Sequence, residues 1–185
     1  MVVYAVGFLL PLVFMIFKSV GSNNRLKQHF TDNKIIFFTG AYLFLVSALR
    51  HKNIGADTIQ YERMFESVVT GGVDAIVNGA SRDIESGYVA FQYICSWFTS
   101  SPQVYIGIIA LIVAVVLGRF IKKYSKNPAW SMFLYMTYFF QFYGLTGCRQ
   151  TLAAMILILS YDCICERKFI RFTLLIVLAT LFVYL

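Results

Sequence analysis

The sequence predicts an all-α, polytopic integral membrane protein. It would have about five spanning helices, a partial last one, and a long outer loop carrying short interfacial helices. Three observations predict this. Hydrophobic residues make up 59% of the 185-residue chain and charged residues only 14%, where soluble domains carry about a quarter charged residues. Apolar runs recur along the chain, separated by clusters of Lys and Arg. Six of the nine acidic residues fall between Arg50 and Pro102, in one polar stretch set among lipid-soluble ones.

The first run, Val2 to Phe17, is uncharged and closed by Lys18. No basic segment precedes it and no small-residue cleavage site follows, so it reads as a membrane helix over about 2–20 rather than a removed signal. Gly21-Ser22-Asn23-Asn24 is a turn signal. Residues 35–49 form the second run, ended by Arg50. In the outer loop, 50–103, Asp57 or Thr58 is placed to cap a helix from Ile59 to Val69, stopped by Gly71-Gly72. A second short helix is expected from Ile84 to Phe98, capped by Asp83. There Tyr88, Phe91, Ile94, Cys95 and Phe98 follow helical spacing. Three further spans are expected over 104–120, 130–145 and 150–164, and a partial one over 172–185. That last run would reach only about 21 Å, short of the hydrocarbon thickness. The whole reads as a single membrane domain, 1–185.

Charge placement fixes the expected orientation. Four Lys/Arg lie in 18–34, four in 119–126 and three in 167–171. If Tyr88–Phe98 does not cross, all three clusters share one side, which the positive-inside rule makes cytoplasmic. Eleven residues would cross only about 17 Å in any case. The N-terminus, the 50–103 loop and Arg149 then lie outside a bacterial plasma (inner) membrane, with Tyr88–Phe98 lying on or dipping into the outer leaflet.

Several function classes drop out. The net charge of +7 flanks apolar runs instead of gathering on a soluble face, so it reads as topology and not as nucleic-acid binding. Cys95, Cys148, Cys163 and Cys165 lack the paired spacing of a metal site. No metal and no cofactor is expected.

Arg50 and Arg149 stand at outer helix ends. Position alone favours snorkelling to headgroup phosphate. The functional alternative is an anion clamp, because guanidinium pairs bidentately with phosphate. Asp57 reads as a helix cap and Glu85 as a first-turn acid favoured by the helix dipole. Tyr135, Phe139, Phe142 and Tyr143 share a helical stripe that reads first as an interfacial belt and second as a sugar-stacking face.

Four short elements carry a specific resemblance. Arg50…Gly55-Ala56-Asp57-Thr58…Tyr61…Phe65 resembles the outer-loop signature of the EpsG-type branch of Wzy polysaccharide polymerases. Glu85-Ser86-Gly87-Tyr88 is similar to that family's acidic-Gly-aromatic element. Arg149-Gln150-Thr151-Leu152-Ala153 resembles its Arg-Gln-x-x-Ala helix start, and Arg167-Lys168-Phe169 before Leu178-Ala179 fits the order. The resemblance implies a membrane glycosyltransferase. Such an enzyme joins repeat units carried on undecaprenyl pyrophosphate into capsular polysaccharide, exopolysaccharide or O-antigen. It implies Asp57, Glu85 and Arg149 as catalytic residues, with Arg50, Arg149, Gln150, Tyr61 and Tyr143 binding substrate. The partners it implies are the lipid-linked oligosaccharide, the bilayer and other polysaccharide-assembly proteins, with no nucleic acid. One departure stands out: the family commonly has a His after Ala-x-x-Phe, whereas Ala179-Thr180-Leu181-Phe182 is followed here by Val183. Members are also considerably longer, which implies that the chain is the N-terminal half of a longer protein. The alternative classes are a lipid-linked sugar flippase or transporter subunit, and a non-catalytic membrane assembly protein.

Overall fold

A computed structural model describes residues 25–183 except 56 and 81–84, together with 6, 9–13 and 16. Every regular element among them is helical. The described positions of the first apolar run are helical; most of that expected span, the Gly21–Asn24 turn and Asp83 lie outside the described residues.

Helix α1 is Arg25–Ala48, α2 Thr58–Ala80, α3 Ser86–Ser96, α4 Pro102–Tyr124 and α5 Pro128–Leu134. Helix α5 continues directly into a π-helical segment, Tyr135–Gly144, followed by α6, Cys148–Cys165, and α7, Phe169–Thr180. Helix α1 begins well before the second apolar run. Its buried positions Ile35, Thr39, Leu43 and Ser47 recur every fourth residue and face α4. The two helices run antiparallel: a Cβ on Gly107 would sit 3.7 Å from Ala48, and one on Gly118 would sit 3.3 Å from Ile36. Pro102 starts α4 because a fixed φ suits the first helical position. Among the described residues two helices are long and apolar enough to cross a membrane, Pro102–Tyr124 and Cys148–Cys165. At about 1.5 Å per residue they reach roughly 34 Å and 27 Å. The expected number of crossings, about five, is not reached by that measure.

Both outer-loop helices are built into the core. Tyr61 and Phe65 of α2 and Tyr88 and Cys95 of α3 join Tyr105, Ile106 and Ile109 of α4 and Leu152 and Met155 of α6 in one apolar cluster. The Phe65 and Tyr105 rings stack 4.4 Å apart, and Tyr61 meets Tyr88 edge-on at 5.8 Å. The far side of α3 and its C-terminal turn leave Ile94, Trp97 and Phe98 exposed. This two-sided character suits a helix lying at an interface. It spans Ser86–Ser96, shorter than the Ile84–Phe98 expected from spacing. Gly72 breaks the helical path of α2 with φ 54° and ψ −131°, a conformation essentially restricted to glycine. The sequence placed the stop there correctly, and a second helical stretch continues to Ala80.

The run after Pro128 differs from a plain α-helix. From Tyr135 onward the backbone is π-helical, which widens each turn by one residue. The stripe expected for Tyr135, Phe139, Phe142 and Tyr143 assumed α spacing, whereas the backbone here is π-helical. Only Tyr135 among those four has a described side chain.

Helices α6 and α7 form a hairpin. Lys168 N–H donates to the Cys163 carbonyl at 2.8 Å and Arg167 N–H to Ile164 at 3.0 Å, closing the C-terminus of α6 with Arg167 at φ 54°. The position suits glycine better than arginine. Arg167→Gly is expected to raise stability by about 0.5–1 kcal/mol, since relief of the left-handed strain exceeds the extra chain entropy. Thermal unfolding in detergent checks it; an unchanged or lower midpoint would contradict the assignment.

Candidate functional site

The site forms where the C-terminal end of α1, the N-terminal ends of α2, α3 and α6, and the end of α7 meet. A helix that stops in apolar surroundings leaves carbonyls without partners. Two long-range side chains satisfy them here. The Gln103 carboxamide, on the first turn of α4, donates to the carbonyls of Ala48 and Arg50. Arg50 in turn reaches the end of the π-helical segment. Its Nη1 donates to Leu145 O at 2.8 Å and Gly144 O at 3.3 Å, and Nη2 meets Cys148 Sγ at 3.3 Å. A cation at a helical C-terminus also opposes the dipole favourably.

Arg50 is therefore directed inward, with only 5% of its surface exposed. Gly55 explains the close approach of the loop to the same carbonyl. Its φ is +94°, and a Cβ there would come within 2.2 Å of Leu145 O. Thr58 is fully buried, and its hydroxyl donates back to Ile54 O at 2.7 Å. Thr58 thus ties the turn together and leaves the helix-start role to Asp57, whose carbonyl accepts from Tyr61 N–H at 3.0 Å.

Arg149 follows Cys148 by one residue and turns the other way. Its guanidinium forms an ion pair with Glu85 and lies 5.9 Å from the Tyr61 ring centre. The Arg149 side chain is 28% exposed and that of Glu85 12%, so the pair is partly desolvated. Glu85 does not act as a first-turn acid. It occupies the N-cap position of α3 without a side-chain capping bond, because its carboxylate is spent on Arg149. The α3 start is fixed from another side: Gly87 N–H donates to Leu181 O at 3.1 Å, and a Cβ on Gly87 would come within 2.7 Å of Leu181. Burial pushes the Tyr61 phenol up, with the hydrogen bond to Arg149 pulling the other way, so Tyr61 stays a neutral donor near neutral pH.

The structure thus brings together Glu85, Arg149 and Tyr61, with Asp57 one turn before Tyr61. Arg50 stands behind them as an inner support. Gln150 is exposed on α6, and the side chain of Tyr143 lies outside the described residues. The sequence named Gly87 and Tyr88 only within the acidic-Gly-aromatic element; it missed the roles of Gln103 and Cys148, and the burial of Gln92 and Tyr105 with Tyr88 beneath Tyr61. No cluster of three or more metal-ligating side chains occurs among the described residues. A partly buried carboxylate-guanidinium pair beside a neutral phenol can exchange its carboxylate for another anion, and the freed carboxylate can accept a proton.

Gly55→Ala is expected to cost about 2 kcal/mol or more, through a clash with backbone and a disfavoured φ. Thermal unfolding with lipid held constant measures it. A loss no larger than that of a surface substitution would show that the loop does not rest on Leu145.

In comparison with known proteins, the model of the EpsG family matches residues 33–183, most of the chain. Nothing matches among curated proteins or solved structures.

Proposed function

We propose that this chain, which belongs to the EpsG family, joins oligosaccharide repeat units carried on undecaprenyl pyrophosphate. The family and the apolar helices point to a membrane protein with a polysaccharide-polymerase-like role. The observation that carries the finer reading is the Glu85–Arg149 pair. It offers a guanidinium for a phosphate and, once displaced, a carboxylate for a hydroxyl proton.

In this reading the donor's pyrophosphate takes Glu85's place on Arg149. The acceptor hydroxyl attacks the anomeric carbon, the new C–O bond forms, and the old C–O bond to phosphate breaks. The electron pair leaves with the pyrophosphate, and Arg149 stabilises the charge as it develops. The hydroxyl proton passes to a carboxylate, Glu85 or Asp57. Tyr61 donates to a phosphate or sugar oxygen. Arg149 makes the direct anion contact, while Arg50 positions it by holding Leu145 and Cys148; Gln150 and Tyr143 keep the substrate-binding roles that the family resemblance implies. The site faces outward on the charge argument above. The wider arrangement of about five crossings, with both loop helices at the outer surface, belongs to the same proposal.

Membranes carrying the chain, with any segment that normally completes it, are supplied with lipid-linked repeat units, and polymer length is followed. Arg149→Ala is expected to lower turnover by about a hundredfold to a thousandfold, the scale of losing one anion-stabilising donor. Arg149→Lys should recover part of that loss, since it keeps the charge and loses the fork. Polymer of wild-type length from a stably folded Arg149→Ala chain would sink the reading. Arg50→Lys should lower the unfolding midpoint and turnover together, because its carbonyl partners lose a fitted donor.

A further inference from the structure

A second surface feature lies away from this site, at the opposite end of α1 and α4, and does not depend on the polymerase reading. The two helices part along one side to leave an open groove of about 400 Å³. Its floor is made of small residues, Gly40 and Ala41 from α1 and Ala114 and Gly118 from α4, and its walls are apolar. The room is real at Gly40, where an added Cβ would meet nothing within 4 Å. One end lies between Phe44 and Leu111. Arg119 and Lys122, both exposed, line the other.

Length and charge identify the occupant. From Leu111 to Lys122 along α4 is roughly 16 Å, and half of a bilayer's hydrocarbon core is about 15 Å. The groove is therefore one leaflet deep, with its cations at headgroup level. Among the described residues neither Arg119 nor Lys122 forms an ion pair. The nearby acid Asp162 is already bonded to Lys123 and Tyr124. Lys34, Arg119, Lys122, Lys123, Lys126 and Lys168 outnumber Asp32, Asp162 and Glu166 at this end.

The geometry points to a binding site for one anionic phospholipid: an acyl chain lies along Gly40, Ala41, Ala114 and Gly118, and the headgroup phosphate is held by Arg119 and Lys122. A zwitterionic lipid would fit the apolar part equally and gain less at the rim. Arg119 supplies a fork for phosphate and Lys122 a point charge.

The full chain is purified and titrated with phosphatidylglycerol and, separately, phosphatidylcholine, with bound lipid counted by native mass spectrometry. Wild type should prefer phosphatidylglycerol. Arg119→Gln with Lys122→Gln should weaken phosphatidylglycerol by about thirtyfold, and either change alone by roughly fivefold, while leaving phosphatidylcholine unchanged. Gly40→Phe should reduce retention of both lipids, since the ring fills the groove. The double Gln variant changes only exposed side chains, so it tests the rim even if Gly40→Phe folds poorly. Equal retention of the two lipids by wild type would overturn the proposal. So would undiminished phosphatidylglycerol binding by folded Gly40→Phe. Loss of a dimer on filling the groove, or crosslinking of a Gly40→Cys variant to residues 2–20, would assign the groove to a second copy or to the chain's own first segment and overturn it as well.

Discussion

Buried carbonyls at helix ends are the constraint on which the rest of this structure depends. In apolar surroundings no water satisfies them, and an unpaired polar group there costs on the order of 1–3 kcal/mol. The chain answers with side chains from distant elements. Gln103 on α4 closes the end of α1, and Arg50, just past α1, closes the π-helical segment and touches Cys148 at the head of α6. Each helix end is thus held by the element that follows it in space. Arg149, one residue beyond Cys148, inherits its position from that series.

The loop helices complete the arrangement from the other side. Phe65 stacks on Tyr105, and Tyr88 is wholly buried, so α2 and α3 lie against α4 and α6 as part of the core. Gly87 against Leu181 sets the start of α3, and this brings Glu85 to Arg149. The site is assembled by packing between rigid elements. Tyr61, Glu85 and Arg149 stand at helix starts, where the first residues of three helices converge.

Much of the fold was legible in the sequence. The apolar runs over 104–120 and 150–164 lie inside the observed helices, that over 35–49 overruns α1 by one residue, and Gly71-Gly72 marked the break in α2. Those features are local, written in hydropathy and in the backbone freedom of single residues. The direction in which Arg50 points was not legible. A guanidinium at a helix end serves a lipid or a carbonyl equally well on spacing alone, and the choice rests on contacts nearly a hundred residues away. Glu85 was misread as a dipole-favoured acid for the same reason: its partner Arg149 is 64 residues distant. The π geometry after Tyr135 escaped periodicity analysis because the aromatic run satisfies α spacing in composition while the backbone takes a wider turn.

The pairing of Glu85 with Arg149 has a consequence for selectivity. The empty site is electrically settled, since the guanidinium already holds a full negative charge. An incoming anion gains only the difference between itself and that carboxylate. A lipid phosphate with a single charge exchanges one equal for another and has to order itself to do so. In the proposed reaction a pyrophosphate brings more charge and more acceptor oxygens than a lipid phosphate, and so gains more by the exchange. Under that proposal the pair would act as a threshold that counts charges, set above the singly charged phospholipids around the protein.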